Sequence, residues 1–550
     1  MAGLTLRVMA IVFFMGIIAF VNTLKKITPI VLFLSFVLLT LPGLEWGAPG
    51  SWNPDEIVFK VDWAFHGKMD YFDLKNFDYP SLPKYIMLGL GKIVYGLGYS
   101  KYEFIMAARV LSALLGGLIV VLTYHLAQRM KLAYPYALLT GLLMLSAGIL
   151  VQNAHYAHND LYMLLFALLS VHALFSYMET KNEAKKRLWL YAAFILAGFA
   201  LSSKYNGVVV IPLVVFVYLL MENKALLQDR LRTVETLFIS AVLTFSAYAL
   251  GTPRAILDAS FYFRNMLPSF FRHGAFGHRP GVPRGIIGQW GVIIEAYGWL
   301  FFILGIAALA WTVVRLIQAL RAKQWGQREN QLLVLFLFVG LVDFPIWFSY
   351  NYQGRFFLPL LPPLAVLIAA TMSDVSKRWQ ANIAWGFAAW VIVVGFMRVG
   401  SIILLFMNDA RIPASAYTST FAEKSRVEVT LYPPNVAEDR KLKVRDYPIY
   451  IVKFIEQKPA PESGFNLGEA GLLQRDVDYL ILDSFTYGRF SDPFICENNQ
   501  VECDFFDDLF NGQSSYKLLK AFPAYELPWF MPQVRLDFVN PSIMIFQRGE

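Results

Sequence analysis

Residues 103–127 read EFIMAARVLSALLGGLIVVLTYHLA, and Gln128-Arg-Met-Lys131 follows at once. A helix rises about 1.5 Å per residue, so about 20 apolar residues cross a bilayer's hydrocarbon core. This run is long enough, and its basic tail marks the point where such a helix meets water. The pattern recurs. Apolar spans fall near 28–44, 103–127, 133–151, 161–178, 187–202, 206–221, 234–251, 292–314, 331–350, 356–372 and 381–406. Short charged loops separate them, which predicts a polytopic α-helical membrane protein with about 11 transmembrane helices.

Composition agrees. The chain is 57% hydrophobic and 16% charged, where a soluble domain carries about 25% charged residues. Its mean hydropathy is +0.48. The net charge of +8 reports orientation and excludes no-membrane readings such as nucleic-acid binding, because Lys and Arg collect in cytoplasmic loops. The two cysteines, Cys496 and Cys503, and the seven histidines show no spacing typical of a zinc site.

The basic residues test the topology. Lys25-Lys26 precede the first span; Arg129 and Lys131 follow the second. Lys181, Lys185, Lys186 and Arg187 follow the fourth, and Lys224, Arg230 and Arg232 the sixth. Arg315, Arg321, Lys323 and Arg328 follow the eighth, and Lys377 and Arg378 the tenth. With eleven alternating spans, all these groups fall on one side, and the positive-inside rule makes that side the cytoplasm.

The opposite face then carries a long first loop (45–102), loops near 152–160, 203–205, 252–291 and 351–355, and the C-terminal tail. Residues 83–98 (PKYIMLGLGKIVYGLG) are apolar, but a crossing here would break the charge parity. They are read as an interfacial helix in the first outer loop, with a second such helix at 55–67. The N-terminal segment, 1–27, holds a short apolar piece at 8–22 with no convincing cleavage site. It is read as an extra short or interfacial helix, or an artefact of the start site. Residues 28–407 form the transmembrane module.

From Asn408 the composition changes. Charges and prolines return, with strand-like runs at Val427–Leu431, Tyr479–Leu482 and Ile543–Phe546. Residues 408–550 are read as a small extracytoplasmic α/β domain, an oxidising setting in which Cys496 and Cys503 could close a disulfide.

The outer face collects ionisable residues. Asp55, Glu56, His66, Tyr79 and Lys84 come from the first loop, and His155, His158 and Asp160 from the second. Lys204 and Tyr205 follow, then Arg254, Arg264, Arg272, His273, His278 and Arg279, then Arg355, Asp409 and Arg411. Any single one reads as a solvated or snorkelling side chain. Their recurrence at nearly every outer turn points to a shared polar cavity. Carboxylates there could act as a general base on a hydroxyl or bind a divalent metal. Arg and Lys at the same depth suit a lipid phosphate at headgroup level.

Several stretches resemble the glycosyltransferase C superfold, in its protein O-mannosyltransferase and aminoarabinose-transferase-like branch. They are Asn53-Pro-Asp-Glu56, Tyr79-Pro-Ser-Leu-Pro83, Ala108-Arg-Val-Leu-Ser-Ala-Leu-Leu-Gly-Gly117 and His155-Tyr-Ala-His-Asn-Asp160. Ala197-Gly-Phe-Ala-Leu-Ser-Ser-Lys-Tyr-Asn-Gly207, Gly251-Thr-Pro253 and Arg355-Phe-Phe-Leu-Pro-Leu-Leu-Pro362 complete the series, which covers roughly 28–411. The resemblance implies transfer of a sugar from a polyprenyl-phosphate carrier to an extracytoplasmic acceptor, a protein, lipid or glycan hydroxyl, with inversion. It implies a multi-pass plasma (inner) membrane protein of bacterial or archaeal type. Asp55 would be the general base. Arg355 would meet the phosphate with Lys84 or Lys204, and Asp160 would orient the acceptor or the surroundings of Asp55. Glu56, His158 and Tyr205 join the substrate-binding set. Metal use varies across the superfold, and these signals require none. Tyr79 stands where aminoarabinose transferases tend to carry Lys, and Lys84 is read as its substitute.

Two other classes predict different features. A flippase or transporter for a lipid-linked glycan predicts midspan charges and internal repeats, but midspan charges such as Arg109 and Asp343 are few and no repeat is visible. A non-catalytic subunit predicts no need for Asp55.

Overall fold

The computed structural model describes residues 24–68, 70, 79–222, 229–275, 286–346, 353–374, 378–448, 467–491 and 493–549. The predicted helix at 8–22 lies outside the described residues, as do His278, Arg279 and the side chains of Arg272 and His273. The chain divides by contact into two compact units. Residues 1–41, 60–93 and 107–399 form the first, and residues 42–59, 94–106 and 400–550 the second. The second unit therefore joins the start of the first outer loop to the C-terminal part of the chain, which a division at residue 408 does not anticipate.

The chain is a polytopic helical membrane protein. Among the described residues seven helical stretches are long and apolar enough to cross a bilayer. They are Lys101–Arg129, Asp160–Glu179, Arg230–Gly251, Trp299–Arg321, Gln327–Ile346, Gly354–Ser373 and Gln380–Thr420. The helices Tyr134–Leu145 and Gly148–Ala154, bent by 55°, make an eighth if counted as one span. The other three predicted spans are helical at 24–40, Glu183–Ser203 and Tyr205–Met221. Two of these are short, and the first turn of the third holds Glu183, Lys185, Lys186 and Arg187.

Two readings of single elements are corrected. The predicted span 292–314 is two helices, Ile286–Tyr297 and Trp299–Arg321, parted at Gly298 with φ +85°. That left-handed turn ends the first helix, the Gly298 N–H donating to the Ile294 carbonyl. The loop predicted over 252–291 is largely helical, with helices at Arg254–Leu257 and Ala259–Ala275 before Ile286–Tyr297. The aromatic side chains of Tyr262 and Phe263 pack with Tyr248 there, so the segment buries apolar surface instead of solvating it. The interfacial readings find helices at Leu82–Gly96 and Ile57–Phe65. With 15 residues, the first is too short to cross.

Within the first unit, ion pairs tie the predicted cytoplasmic loops to one another. Arg129 pairs with Glu179 at 2.8 Å, and Gln331 donates to the same carboxylate at 3.0 Å. Lys186 pairs with Glu222 at 2.5 Å and Arg328 with Asp374 at 2.6 Å. Five loops that the charge parity assigned to one side thus share one end of the helix bundle.

In the second unit a five-stranded mixed sheet runs β2-β1-β3-β5-β4. Its strands are β1 Arg426–Val429, β2 Lys443–Asp446, β3 Tyr479–Asp483, β4 Tyr516–Phe522 and β5 Ile543–Arg548. β1 is parallel to β2 and β3, while β5 is antiparallel to β3 and β4. Side chains of β3 alternate between two cores. Leu480 and Leu482 pack with Leu472, Phe505, Phe506 and Leu509; Tyr479 and Ile481 pack with Phe421, Val427, Ile543 and Ile545. Both faces are buried, so the strand reads as a continuous apolar run. Cys496 and Cys503 form a disulfide beside the first core.

Candidate active site

The opposite end of the first unit holds most of the predicted site. Helices Asp160–Glu179 and Glu183–Ser203 pack together, and the Asn159 side-chain amide donates to the Ser203 carbonyl at 3.0 Å. This sets the start of one helix beside the end of the other. Lys204 leaves the helix in an extended conformation, and the chain turns back at once, the Gly207 N–H donating to the Lys204 carbonyl at 2.8 Å. The reversal needs glycine, because a Cβ at Gly207 would stand 2.4 Å from the Ala200 carbonyl.

The result is a buried ionic array. Lys204 Nζ donates to Asp160 Oδ1 at 2.6 Å, and His158 Nδ1 faces Asp160 Oδ2. Arg355, on the turn Gly354–Leu360, donates from Nη1 to His158 Nε2 at 3.2 Å. A nitrogen that accepts from a guanidinium carries no proton. His158 is therefore the neutral tautomer with its proton on Nδ1, toward Asp160. Burial works in the same direction, pushing the His158 pKa below its ordinary value against the pull of Asp160, while the charges of Arg355 and Lys204 lower it further.

Aromatic rings wall the array. The Tyr79 ring meets His158 edge-on at 5.4 Å between centroids. Lys204 Nζ lies 5.0 Å from the Phe356 centroid and 5.9 Å from that of Tyr79. Lys84, fully buried, donates to the Tyr79 carbonyl at 3.0 Å. The Ser81 N–H donates to Thr252 Oγ1, which shares a 2.7 Å hydrogen bond with Ser202. Those bonds tie the start of the Leu82–Gly96 helix to the two helix ends nearest Lys204. Two cations, Lys204 and Arg355, thus flank one carboxylate and a neutral imidazole, a donor set that suits a phosphate group.

Asn159 Oδ1 and Tyr162 Oη are also buried, and neither has a hydrogen-bond partner among the described residues. Buried polar atoms normally have one. Both flank Asp160, and proximity to that residue is the only sequence signal that could have found them.

Asp55 and Glu56 belong to the second unit. Asn53 is buried and shapes their turn: its side-chain oxygen accepts from the Asp55 N–H at 3.0 Å and its carbonyl from the Glu56 N–H at 3.2 Å. Asp55 is half-buried, whereas Glu56 is fully buried. The segment before them is clamped by a buried ion pair. Arg411 pairs with Asp409 at 2.8 Å, and its guanidinium stacks 4.3 Å from the Trp52 ring and 5.1 Å from that of Trp46. Trp46 Nε1 donates to Asp409, and Arg411 to the Trp52 carbonyl.

Other candidates are placed elsewhere. The Tyr205 hydroxyl joins Tyr262 at 2.9 Å in a chain that continues to Tyr248. His155 donates from Nδ1 to the Val151 carbonyl of its own helix end, and Arg254 pairs with Asp258. His66 lies against Asp62. Among the described residues no group of three or more His, Cys, Asp or Glu is arranged to hold a metal ion.

The chain is similar to several known proteins. Residues 95–263 match the dolichyl-phosphate-mannose-protein mannosyltransferase family. The chain is 25% identical over 334 residues to an undecaprenyl phosphate-alpha-4-amino-4-deoxy-L-arabinose arabinosyl transferase of Pseudomonas fluorescens. That match takes in 59% of this chain and 56% of the relative, so it spans little more than half the relative's length. Among solved structures, ArnT from Cupriavidus metallidurans bound to undecaprenyl phosphate aligns over 95% of this chain and 98% of its own, with TM-score 0.50 and 14% identity. The oligosaccharyltransferase AglB from Archaeoglobus fulgidus, in complex with an inhibitory peptide and a dolichol-phosphate, aligns over 92% and 75%, with TM-score 0.51 and 11% identity. This chain shares the fold of these two solved structures. Within that fold, the matched stretch 95–263 carries His158, Asp160, Lys204 and Tyr205, while Asp55, Lys84 and Arg355 lie outside it.

Proposed function

We propose that this chain is a glycosyltransferase that moves a sugar from a polyprenyl-phosphate carrier to an acceptor hydroxyl outside the cytoplasm, with inversion at the anomeric carbon. The observation that carries the reading is the Lys204–Asp160–His158–Arg355 array, buried at the bundle end opposite the basic loops. The likeness to enzymes named for polyprenyl-phosphate sugars supports it. So does the disulfide, which belongs in an oxidising compartment.

Asp55 takes the proton from the acceptor hydroxyl. The oxygen attacks the anomeric carbon from the face opposite the phosphate. The bond from that carbon to the phosphate oxygen breaks, and polyprenyl phosphate leaves with the electron pair. A phosphate is a good leaving group, so its charge needs only to be met. Arg355, Lys84 and Lys204 serve that end, as preorganised charges in a low-dielectric site. Asp160 is already engaged by Lys204 and His158. A carboxylate so held is a poor base and a good positioning group. Glu56, fully buried, fits a structural role better than a catalytic one. Asn159 Oδ1 and Tyr162 Oη stand ready for the hydroxyls of a sugar. The charge parity of the predicted spans, with basic loops in the cytoplasm, supports an outer-leaflet position for the carrier's phosphate.

The test reconstitutes the purified protein with radiolabelled polyprenyl-phosphate sugar and source membranes as acceptor. Label should leave the lipid fraction as polyprenyl phosphate accumulates. Retention of all label across a panel of hexose and pentose donors would overturn the assignment.

A further inference from the structure

The connection between β4 and β5, residues 523–542, is mostly well anchored. Leu527, Leu536 and Val539 are buried. Asn540 accepts on Oδ1 from the Ala410 N–H and donates its own N–H to Asp409. Its middle behaves differently. Pro528 to Met531 forms a tight turn, the Met531 N–H donating to the Pro528 carbonyl at 2.9 Å. Trp529 and Phe530 occupy the tip, 92% and 58% exposed, with their rings edge to face at 5.9 Å. Tryptophan is a highly buried residue on average, and two large exposed aromatics at one rigid tip call for a partner.

The attachment of the turn says which partner. Ser401 Oγ donates to the Pro532 carbonyl at 2.8 Å, and Met531 Cε lies 3.1 Å from where a Cβ on Gly400 would stand. Both residues belong to the helix Arg378–Met407, whose apolar side chains Ile383, Trp390, Val393 and Met407 are exposed along its length. Gly400 and Ser401 lie about 10 Å along the axis before Met407. The apolar span 381–406 ends five to six residues, about 8–9 Å, beyond these two positions. The turn is therefore docked near the C-terminal end of an apolar span, on the side where that helix leaves the bilayer and tryptophan concentrates in membrane proteins. Exposed Arg535, a few residues on, offers a cation to the headgroup phosphates.

We infer that the Trp529–Phe530 turn inserts into the bilayer leaflet on the side of the C-terminal sheet and anchors that sheet to the lipid surface. The partner is the lipid itself, at the boundary between acyl chains and headgroups. The carrier lipid of the proposed reaction is not required for this contact.

The test places a nitroxide label on Phe530→Cys in the full chain, in liposomes, under conditions that keep the native disulfide. Trp529→Cys is labelled as an independent second variant, and exposed Gln513 in the 511–515 connection provides the control. Collision with oxygen, which concentrates in acyl chains, is compared with collision with a water-soluble nickel chelate. The ratio should shift strongly toward oxygen at 530 and 529 relative to 513, and collapse toward the control in lipid-free detergent dilution. Equal ratios at all three sites would overturn the proposal. So would shielding from both reagents with spin–spin broadening, which would assign the tip to a second copy of the chain.

Discussion

Lys204 Nζ stands 2.6 Å from Asp160 Oδ1, with both side chains almost completely buried. The pair joins the second and third predicted outer loops and draws His158 and Arg355 into one network. Breaking a buried pair strands a charge, which costs about 3–5 kcal/mol, whereas removing both partners costs much less. Lys204→Met and Asp160→Asn should each lower the unfolding temperature in detergent, and the double variant should recover a large part of the loss. Additive losses would show that the two residues act separately.

Arg355 reaches the array from a short turn and remains partly exposed. A hydrogen bond to a charged group contributes about 1.5–3 kcal/mol, equivalent to roughly 10- to 150-fold in affinity. Arg355→Gln should weaken polyprenyl-phosphate binding by that order and flatten its salt dependence. Unchanged affinity would remove Arg355 from the phosphate site.

The neutral state of His158 gives a pH signature. Its folded-state pKa is lowered, chiefly by burial, from the ordinary value of 6.5. The unfolded chain therefore binds the extra proton more readily, and stability rises with pH across the interval between the folded value and 6.5. The contribution is fully present above 6.5 and is lost as pH falls through the folded value. The unfolding temperature in detergent should drop on acidification below about 6.5, and His158→Gln should make the decline shallower. An identical slope in the variant would contradict the tautomer assignment.

In the second unit, Arg411 lies against the Trp52 and Trp46 rings, which meet edge to face, while paired to Asp409. Lysine keeps the charge but not the planar stacking or the fork. Arg411→Lys should speed hydrogen exchange across residues 46–56 and slow sugar transfer, with the β-sheet still protected. Exchange as slow as wild type would show that the clamp does not hold the Asp55 turn.

Much of this was legible in the chain because two signals are strong. Apolar length located the seven helices long enough to cross a bilayer but not the helix Ala259–Ala275, and the ion pairs Arg129–Glu179 and Arg328–Asp374 join loops that charge parity put together. The three predicted strands are those at the centre of the sheet, where both faces are buried. β2 (KVRD) is exposed throughout and β4 nearly so, and such edges leave no apolar run to read. The break at Gly298 was hidden because the residues on both sides are equally apolar. At the site, sequence supplied the residue types but not their geometry. It could not show that Tyr205 bonds to Tyr262, that Lys84 bonds to the Tyr79 carbonyl, or that Asp160 is held from two sides. Those outcomes depend on where helices end, and single residues such as Lys204 and Gly207 set those ends.

The central claim is that Asp55 removes the acceptor proton. The direct measurement compares wild type and Asp55→Asn in proteoliposomes with radiolabelled polyprenyl-phosphate sugar, scoring transfer and polyprenyl-phosphate binding in the same preparations. General-base catalysis contributes about 10²- to 10⁴-fold. The variant should lose transfer by that factor while binding the carrier like wild type. Transfer at the wild-type rate by a variant that binds normally would contradict the account.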